Sequence, residues 1–416
     1  MATTEVTCRS CGTGPLHEIL SLGDSPLADR LLTPEQCHEP EPTAPLDVVL
    51  CSACSLMQLT HSVPPEELFC RDYPYYSSVS PTLLAHFQAS AEAIIEDRRL
   101  DANSLVVELA SNDGYMLRHF HRAGIPVLGI DPADGPARAA QGAGIPTRTT
   151  FFTQGLAKSL RDEEGLRADI ILANNVLAHV PDLNGFVAGI RTLLKPDGQA
   201  VIEVPYAVDL VDKLEFDTIY HQHLCYFTVT ALDQLFRRHG LYLNHVDRTE
   251  IHGGSLRLFV EHTERPDTSV TDLLRWERTR GITTLAYFTD FAARTENLRR
   301  QLMTLLDGIK AEGRRIVGYG AAAKATTLMN FCGIDGRHLD YIVDLSPHKQ
   351  GLYTGGNHLP IRKPDCLVTD RPDYTLILAW NFADEIIAQQ RQYLDVGGQF
   401  IVPLPEPRLV NAPAIA

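Results

Sequence analysis

The stretch SLVVELASNDGYMLRHFHRAGIPVLGIDPADGPARAA, residues 104–140, decides the fold. It reads as strand, turn, helix, strand, turn, helix. Residues 105–109 form a short apolar run that carries Glu108, residues 111–114 supply turn formers, and residues 127–130 form a second apolar run closed by Asp131. That alternation is half of a doubly wound α/β sheet, which takes nucleotide-like ligands outside the carboxyl ends of its strands. A carboxylate closing the second strand is placed to accept ribose hydroxyls, which makes Asp131, followed by Pro132, a cofactor candidate. The first turn lacks GxGxxG, so a dinucleotide loses its usual pyrophosphate cradle. A ligand with an ammonium and a carboxylate instead wants acids, amides and backbone groups, and Glu108, Ala110, Asn112 and Asp113 offer that set.

Working outward, ADIILANNVLAHVPDLNGFV (168–187) is a strand running into Asn174 and Asn175 and then a helical region with His179. Capping and loop hydrogen bonds are the plainer roles for these three. A Lys-Pro-Asp-Gly turn at 195–198 leads to another strand at 199–204. The whole stretch resembles class I methyltransferases, whose first motif is an acid followed by a small-residue turn, here VVELASNDG. The resemblance implies S-adenosylmethionine as cofactor. Ala110 stands where glycine is common, so a positive φ there would carry a cost.

Length and composition frame this core. A chain of 416 residues fits two or three domains, and 44% hydrophobic residues support globular folding. No run has the roughly 18 apolar residues of a membrane span and the first residues lack a signal pattern, so the expectation is a soluble, cytoplasmic protein with no membrane partner. A net charge of -15 without a dense basic block argues against nucleic acid as a partner. Nine cysteines point to reduced or metal-bound thiols. Cys8 and Cys11 in CRSCG, with Cys51 and Cys54 in CSACS, form two CxxC knuckles whose four thiolates suit a closed, structural zinc site. Four unrelated thiols, or a redox dithiol, are the alternatives. Nothing in the sequence sets an oligomeric state.

The segment EFDTIYHQHLCYFTVTAL (215–232) gathers Tyr220, His221, Gln222, His223, Tyr226 and Phe227. Methylating carbon requires a base, because the acceptor carbon must lose a proton, and donors near a developing enolate oxygen stabilise it. Here the chain resembles the bacterial nucleotide-sugar C-methyltransferases that act on carbon 3 of dTDP-linked 4-keto-deoxysugars, whose motif is Tyr, any residue, Glu, His. The resemblance puts the base on His223 and the tyrosine on Tyr220, with Gln222 in place of the glutamate. A glutamine can orient a neighbour but cannot raise the pKa of an imidazole by charge. Tyr75, Tyr76, Ser77 and Ser78, in RDYPYYSSVS with Tyr73, resemble a segment lining the sugar site. Tyr76 and His179 join the catalytic candidates, and exposed tyrosines on a turn are the plainer reading.

From IHGGSLRLFV (251–260) a new unit is expected, followed by a long helix over 270–311 broken near Gly281. RRIVGYGAAAKATTLMNFCGI (314–334) reads as strand, glycine turn and helix, where backbone N–H groups and Lys324 could meet a diphosphate. Close helix-to-strand packing would favour the same glycines and alanines. YIVDLSPHKQG (341–351), LILAWNFADEI (376–386) and GGQFIVPLP (397–405) continue at Rossmann-like spacing. The resemblance makes His252, Gly254, Ser255, Arg257, Tyr319, Gly320, Lys324, Asp344, Lys349, Trp380 and Asn381 substrate-binding candidates.

The expected architecture is α/β throughout: a small zinc-binding domain (1–75), a central class I methyltransferase sheet (76–246) and a second Rossmann-like domain for the nucleotide sugar (247–416). The expected activity is C-methylation of a nucleotide-linked 4-keto-deoxysugar at carbon 3 through an enolate. Its competitors are methylation at another carbon or of another enolisable substrate, a non-catalytic nucleotide-sugar-binding protein, and a nicotinamide-dependent sugar enzyme using GYGAAAK.

Overall fold

A computed structural model of the chain describes residues 7–70 and 74–411, together with all but one of their side chains, that of His252. Tyr73 and the side chain of His252 lie outside the described set. The described residues divide into two compact units. The first takes in Met1–His17, Val49–Val208 and Leu224–Tyr287, and the second Glu18–Val48, Asp209–His223 and Phe288–Ala416.

The first unit is built on seven strands: β1 (Val106–Leu109), β2 (Val127–Asp131), β3 (Thr147–Thr149), β4 (Ala168–Asn174), β5 (Leu194–Pro205), β6 (Tyr242–Thr249) and β7 (Ser255–Glu261). Their order is β3-β2-β1-β4-β5-β7-β6. The first five are mutually parallel, and β7 runs antiparallel to both neighbours. Strands covered on both faces need nearly continuous apolar runs, and all four residues of β1 are buried. The order reverses between β1 and β4, so the ligand crevice opens at their carboxyl ends.

Five helices complete the parts of this unit that matter below: α1 (Pro81–Arg98), α2 (Asp134–Gly142), α3 (Leu183–Leu193), α4 (Val229–Arg238) and α5 (Thr268–Thr279). Each of α1, α3, α4 and α5 starts at a side-chain cap: Ser80, Asp182, Thr228 and Asp267 respectively. The expected break at Gly281 is present, with α5 ending at Thr279 and Gly281 at φ +72°.

The HGGSLR stretch does not open a new unit. Its strand β7 lies between β5 and β6 because Leu256, Leu258 and Val260 alternate into the core and its partner strand β5 supplies a matching edge.

The second unit holds strands β8 (Ile316–Tyr319), β9 (Ile342–Val343), β10 (Ile361–Arg362), β11 (Tyr374–Ile377), β12 (Gln399–Val402) and β13 (Arg408–Val410), with helices α6 (Phe291–Ala311) and α7 (Ala323–Cys332). The order β10-β9-β8-β11-β12-β13 is parallel up to β12 and antiparallel at β13, again with a reversal beside the first strand of the sheet in sequence. Val317, Ile377, Tyr393 and Phe400 centre its core. The glycine turn has steric reasons of its own. A Cβ on Gly318 would stand 2.9 Å from Ile342 Cγ1, and one on Gly320, at φ +95°, would stand 2.7 Å from Ala379 Cβ.

Candidate active site

The cofactor candidates converge where the first sheet reverses. Between β1 and β2 the backbone turns through left-handed residues Ala110 (φ +55°), Asn112 (+48°) and Gly114 (+74°). Alanine therefore accepts the conformation for which glycine is usual, at a cost of order 1–3 kcal/mol. Asp131 ties the loops together: its Oδ2 accepts from Asn112 N at 2.7 Å and its Oδ1 from Ala133 N, across Pro132, at 2.8 Å. Burial lifts this carboxyl to about 6. Glu108 is fully buried, accepts from Asn174 Nδ2 at 3.3 Å, and is pushed up to about 8 by burial.

The crevice fits S-adenosylmethionine. Among the described residues, Glu108 Oε2, Asp113 Oδ1, Asn175 Oδ1 and Ser111 Oγ are buried without a hydrogen-bond partner, and each can accept. Buried acceptors call for donors or positive charge, which the ammonium, sulfonium and ribose hydroxyls of this cofactor would bring. A diphosphate would meet carboxylates here and is disfavoured.

Residues 75–78 close over this loop. Ser77 N donates to Asn112 Oδ1 at 2.9 Å, Asn112 Nδ2 donates to Tyr75 O at 3.1 Å, and Ser78 Oγ donates to Asp113 Oδ2. The Tyr76 hydroxyl abuts Gly135 on α2, where an added Cβ would stand 2.7 Å from it. Tyr75, Ser77 and Ser78, expected against the sugar, thus reach the cofactor loop. His179 is held neutral, its pKa lowered to about 4 by burial, and stacks on Phe69 with ring centroids 5.6 Å apart.

One cluster escaped the sequence reading. Glu203, at the end of β5 and in register with Asn174, is fully buried, with Oε2 2.8 Å from His86 Nε2 on α1 and 3.0 Å from Arg257 Nη2 on β7. The signal was an acid near the end of an apolar strand, VIEVP, as in VVEL; His86 carries no local signal. Arg257, expected to bind substrate, is committed to this ion pair. Ser255 Oγ donates to Ile251 O at 3.1 Å, and Gly254, at φ +144°, accepts from Tyr206 N, so both serve the strand junction.

The tyrosine-histidine motif lies in the second unit. His223 is 9% exposed, with Nδ1 2.8 Å from Thr218 O and Nε2 2.8 Å from the Tyr220 hydroxyl. A carbonyl only accepts, so Nδ1 carries the proton and Nε2 offers its lone pair. Tyr220 then donates to Nε2. Gln222, standing where the resemblance has a glutamate, does not reach His223: its Nε2 donates to Ala28 O at 2.8 Å. The Thr218 carbonyl does the orienting. His221, the other imidazole of the motif, is buried against Ala44 O at 3.0 Å.

The remaining substrate candidates gather in this unit at the carboxyl ends of its strands. Asp344 repeats the Asp131 geometry, accepting from Ala321 N at 2.7 Å and from Ser346 N at 2.8 Å. Lys349 Nζ donates to Ala321 O at 2.7 Å and stands 3.9 Å from Asp29. Lys324 Nζ sits 4.3 Å from the centre of the Trp380 ring, and burial lowers its pKa. Tyr319 is a core residue whose hydroxyl accepts from Gln390 at 3.4 Å. Gly320 gives its N–H to Val343 O, and Asn381 is half-buried in the turn Trp380–Phe382.

The four knuckle cysteines come together in the first unit, with all four sulfurs within 4.8 Å of one another. Cys8 and Cys54 are 3.4 Å apart and Cys11 and Cys51 3.6 Å. Tetrahedral zinc at about 2.3 Å from each sulfur spaces them about 3.8 Å apart, so the set fits with small shifts of the sulfurs. Four thiolates leave no open position, which makes the site structural. The carbonyls of Arg9 and Ser10 in the first knuckle accept from Asn184 on α3 at 2.8 and 3.1 Å.

Comparison with known proteins divides the chain in three along the sequence, with the last boundary at residue 250 rather than at the end of the first compact unit. A zinc binding domain family model matches residues 8–69, a methyltransferase domain model residues 85–246, and a C-methyltransferase C-terminal domain model residues 250–405. The C-methyltransferase NovU of Streptomyces niveus is 38% identical over 410 residues, 97% of each chain. A ubiquinone biosynthesis O-methyltransferase of Azorhizobium caulinodans is 27% identical over 128 residues, 30% of this chain and 47% of that one. Among solved structures, magnesium protoporphyrin IX methyltransferase from Synechocystis PCC 6803 aligns with a TM-score of 0.35 and 15% identity over 43% of this chain and 83% of that one. Identity of 38% along nearly the whole of both chains, with the three family models in sequence, means that this protein belongs to the C-methyltransferase family, as an S-adenosylmethionine-dependent enzyme with an N-terminal zinc-binding domain.

Proposed function

We propose that the enzyme methylates carbon 3 of a dTDP-linked 4-keto-deoxysugar by way of an enolate. The observation that carries this reading is the Tyr220–His223 pair, in which the Thr218 carbonyl holds the Nδ1 proton and leaves Nε2 as the acceptor. A proton on a carbon next to a ketone is acidic enough for a neutral imidazole to remove in a site that stabilises the enolate oxygen. His223 Nε2 takes that proton, either directly or through the Tyr220 hydroxyl, and the enolate carbon attacks the methyl group of the sulfonium.

Glu108, Asn112, Asp113, Asp131, Asn174 and Asn175 hold the cofactor in this reading, with Tyr75–Ser78 closing the loop. Gly320, Lys324, Asp344, Lys349 and Asn381 serve the nucleotide sugar. The test is mass spectrometry of dTDP-4-keto-deoxysugars incubated with methyl-labelled S-adenosylmethionine, alongside solvent deuterium exchange at the sugar. The expected result is a single added methyl at carbon 3 in the parent and neither exchange nor methylation in His223→Asn. Methylation by His223→Asn at the parent's rate would end the proposal.

A further inference from the structure

Nδ1 of His223 faces the Thr218 carbonyl, and both residues flanking Thr218 are held from outside their own segment. On one side, the Asp217 carboxylate, fully buried, accepts from Trp380 Nε1 at 2.7 Å. On the other, the Ile219 carbonyl accepts from Thr327 Oγ1 on α7 at 2.8 Å. Inside the segment, Thr218 Oγ1 donates to Glu215 O at 2.7 Å, and the Phe216 ring meets the Phe331 ring of α7 edge-on at 5.2 Å. Lys324 lies over the face of the indole whose edge grips Asp217. We propose that Thr327 and Trp380 are positioning residues that clamp the 217–219 backbone, aim the Thr218 carbonyl at Nδ1 of His223, and so fix the imidazole in the tautomer whose Nε2 accepts a proton.

The physical case is one of geometry. Two residues, 163 and 108 positions from the groups they hold, bring two hydrogen bonds to the segment, and neither bond joins two strands of the sheet. Thr327 is 1% exposed, so its hydroxyl reaches protein rather than ligand. A valine there keeps the shape and leaves the Ile219 carbonyl without its donor. With the clamp released, the Thr218 carbonyl no longer has a fixed direction, and the imidazole divides between its two neutral forms. Only one of these presents a lone pair at Nε2.

This rests on the base role proposed for the Tyr220–His223 pair, so the test includes a readout that does not need turnover. In full-length protein with 15N-labelled histidine, the His223 signal, assigned by its loss in His223→Asn, is expected to report a single Nδ1–H tautomer. Thr327→Val combined with Trp380→Phe is expected to convert it to a mixture, while Thr327→Ser keeps the parent signal. With a sugar that the parent methylates, Thr327→Val and Trp380→Phe are each expected to lower kcat about tenfold, as for one lost hydrogen bond, with KM within about twofold. A double variant with an unchanged tautomer overturns the clamp. So does a Trp380→Phe variant whose KM for the sugar rises tenfold with kcat intact, because the indole would then be a substrate contact. If Trp380→Phe fails to fold, Thr327→Val against Thr327→Ser decides alone. A parent that turns over no candidate sugar removes the functional reading and leaves the tautomer measurement standing.

Discussion

Asp131→Asn separates the loop tie that Asp131 makes from the ribose contact proposed for it. In the folded chain its oxygens take two backbone N–H groups, Asn112 at 2.7 Å and Ala133 at 2.8 Å. The amide has one acceptor and one donor, so one of these N–H groups loses its partner, at about 1–3 kcal/mol. Against this stands the cost of ionising a buried acid. A rise from 3.8 to about 6 corresponds to about 3 kcal/mol against the charged form at neutral pH, which the amide avoids. The two terms oppose each other, and the variant is expected to keep the parent's stability to within about 2 kcal/mol. Cofactor binding has no such offset. Losing a charged acceptor for the ribose hydroxyls costs about 1.5–3 kcal/mol, so affinity for S-adenosylhomocysteine should fall roughly ten- to a hundredfold by titration calorimetry. Asp344→Asn is the control, because Asp344 holds its own pair of N–H groups in the same pattern within the other unit. It should lower the thermal midpoint and leave cofactor affinity unchanged. If Asp131→Asn binds the cofactor within twofold of the parent, Asp131 is only a loop tie and its assignment to the ribose is wrong.

Three further outcomes are expected. Removing zinc with a chelator, or substituting Cys51→Ser, should release the knuckle fold, read as loss of bound zinc by metal analysis together with protease cleavage near residues 8–54. Glu277, fully buried on α5, accepts from the Tyr206 hydroxyl, Val229 N, Thr230 N and Thr230 Oγ1 at 2.6–2.8 Å, so Glu277→Ala should cost about 3–5 kcal/mol in a denaturant melt, and a loss below about 1 kcal/mol would contradict it. Because Glu108 is lifted by burial to about 8, the folded chain holds its proton where the unfolded chain, near 4.5, has lost it. Its contribution to stability is therefore present at acid pH and lost as pH rises toward 8, so the cofactor-free parent should lose more thermal stability between pH 6.5 and 8.5 than Glu108→Gln does.

The local patterns in the sequence determined the order of strands and helices, the two knuckles, and the acids that close strands, because apolar periodicity, turn residues and short metal spacings are set by neighbours along the chain. They located Glu108, Asp131 and the break at Gly281. The family resemblance, rather than any local pattern, pointed to Tyr220 and His223, which lie three positions apart and meet within one turn of chain. What each polar group then bonds to was decided by tertiary structure. Gln222 turns to the Ala28 carbonyl, Arg257 to Glu203, and β7 inserts into the first sheet, because each partner comes from a distant part of the chain. The same holds for Ala110: its residue type argues against a left-handed turn, and the Asn112–Asp131 bond, closed across the sheet, holds it there. Periodicity says which face of an element is buried; only the folded chain says which donor meets which acceptor on it.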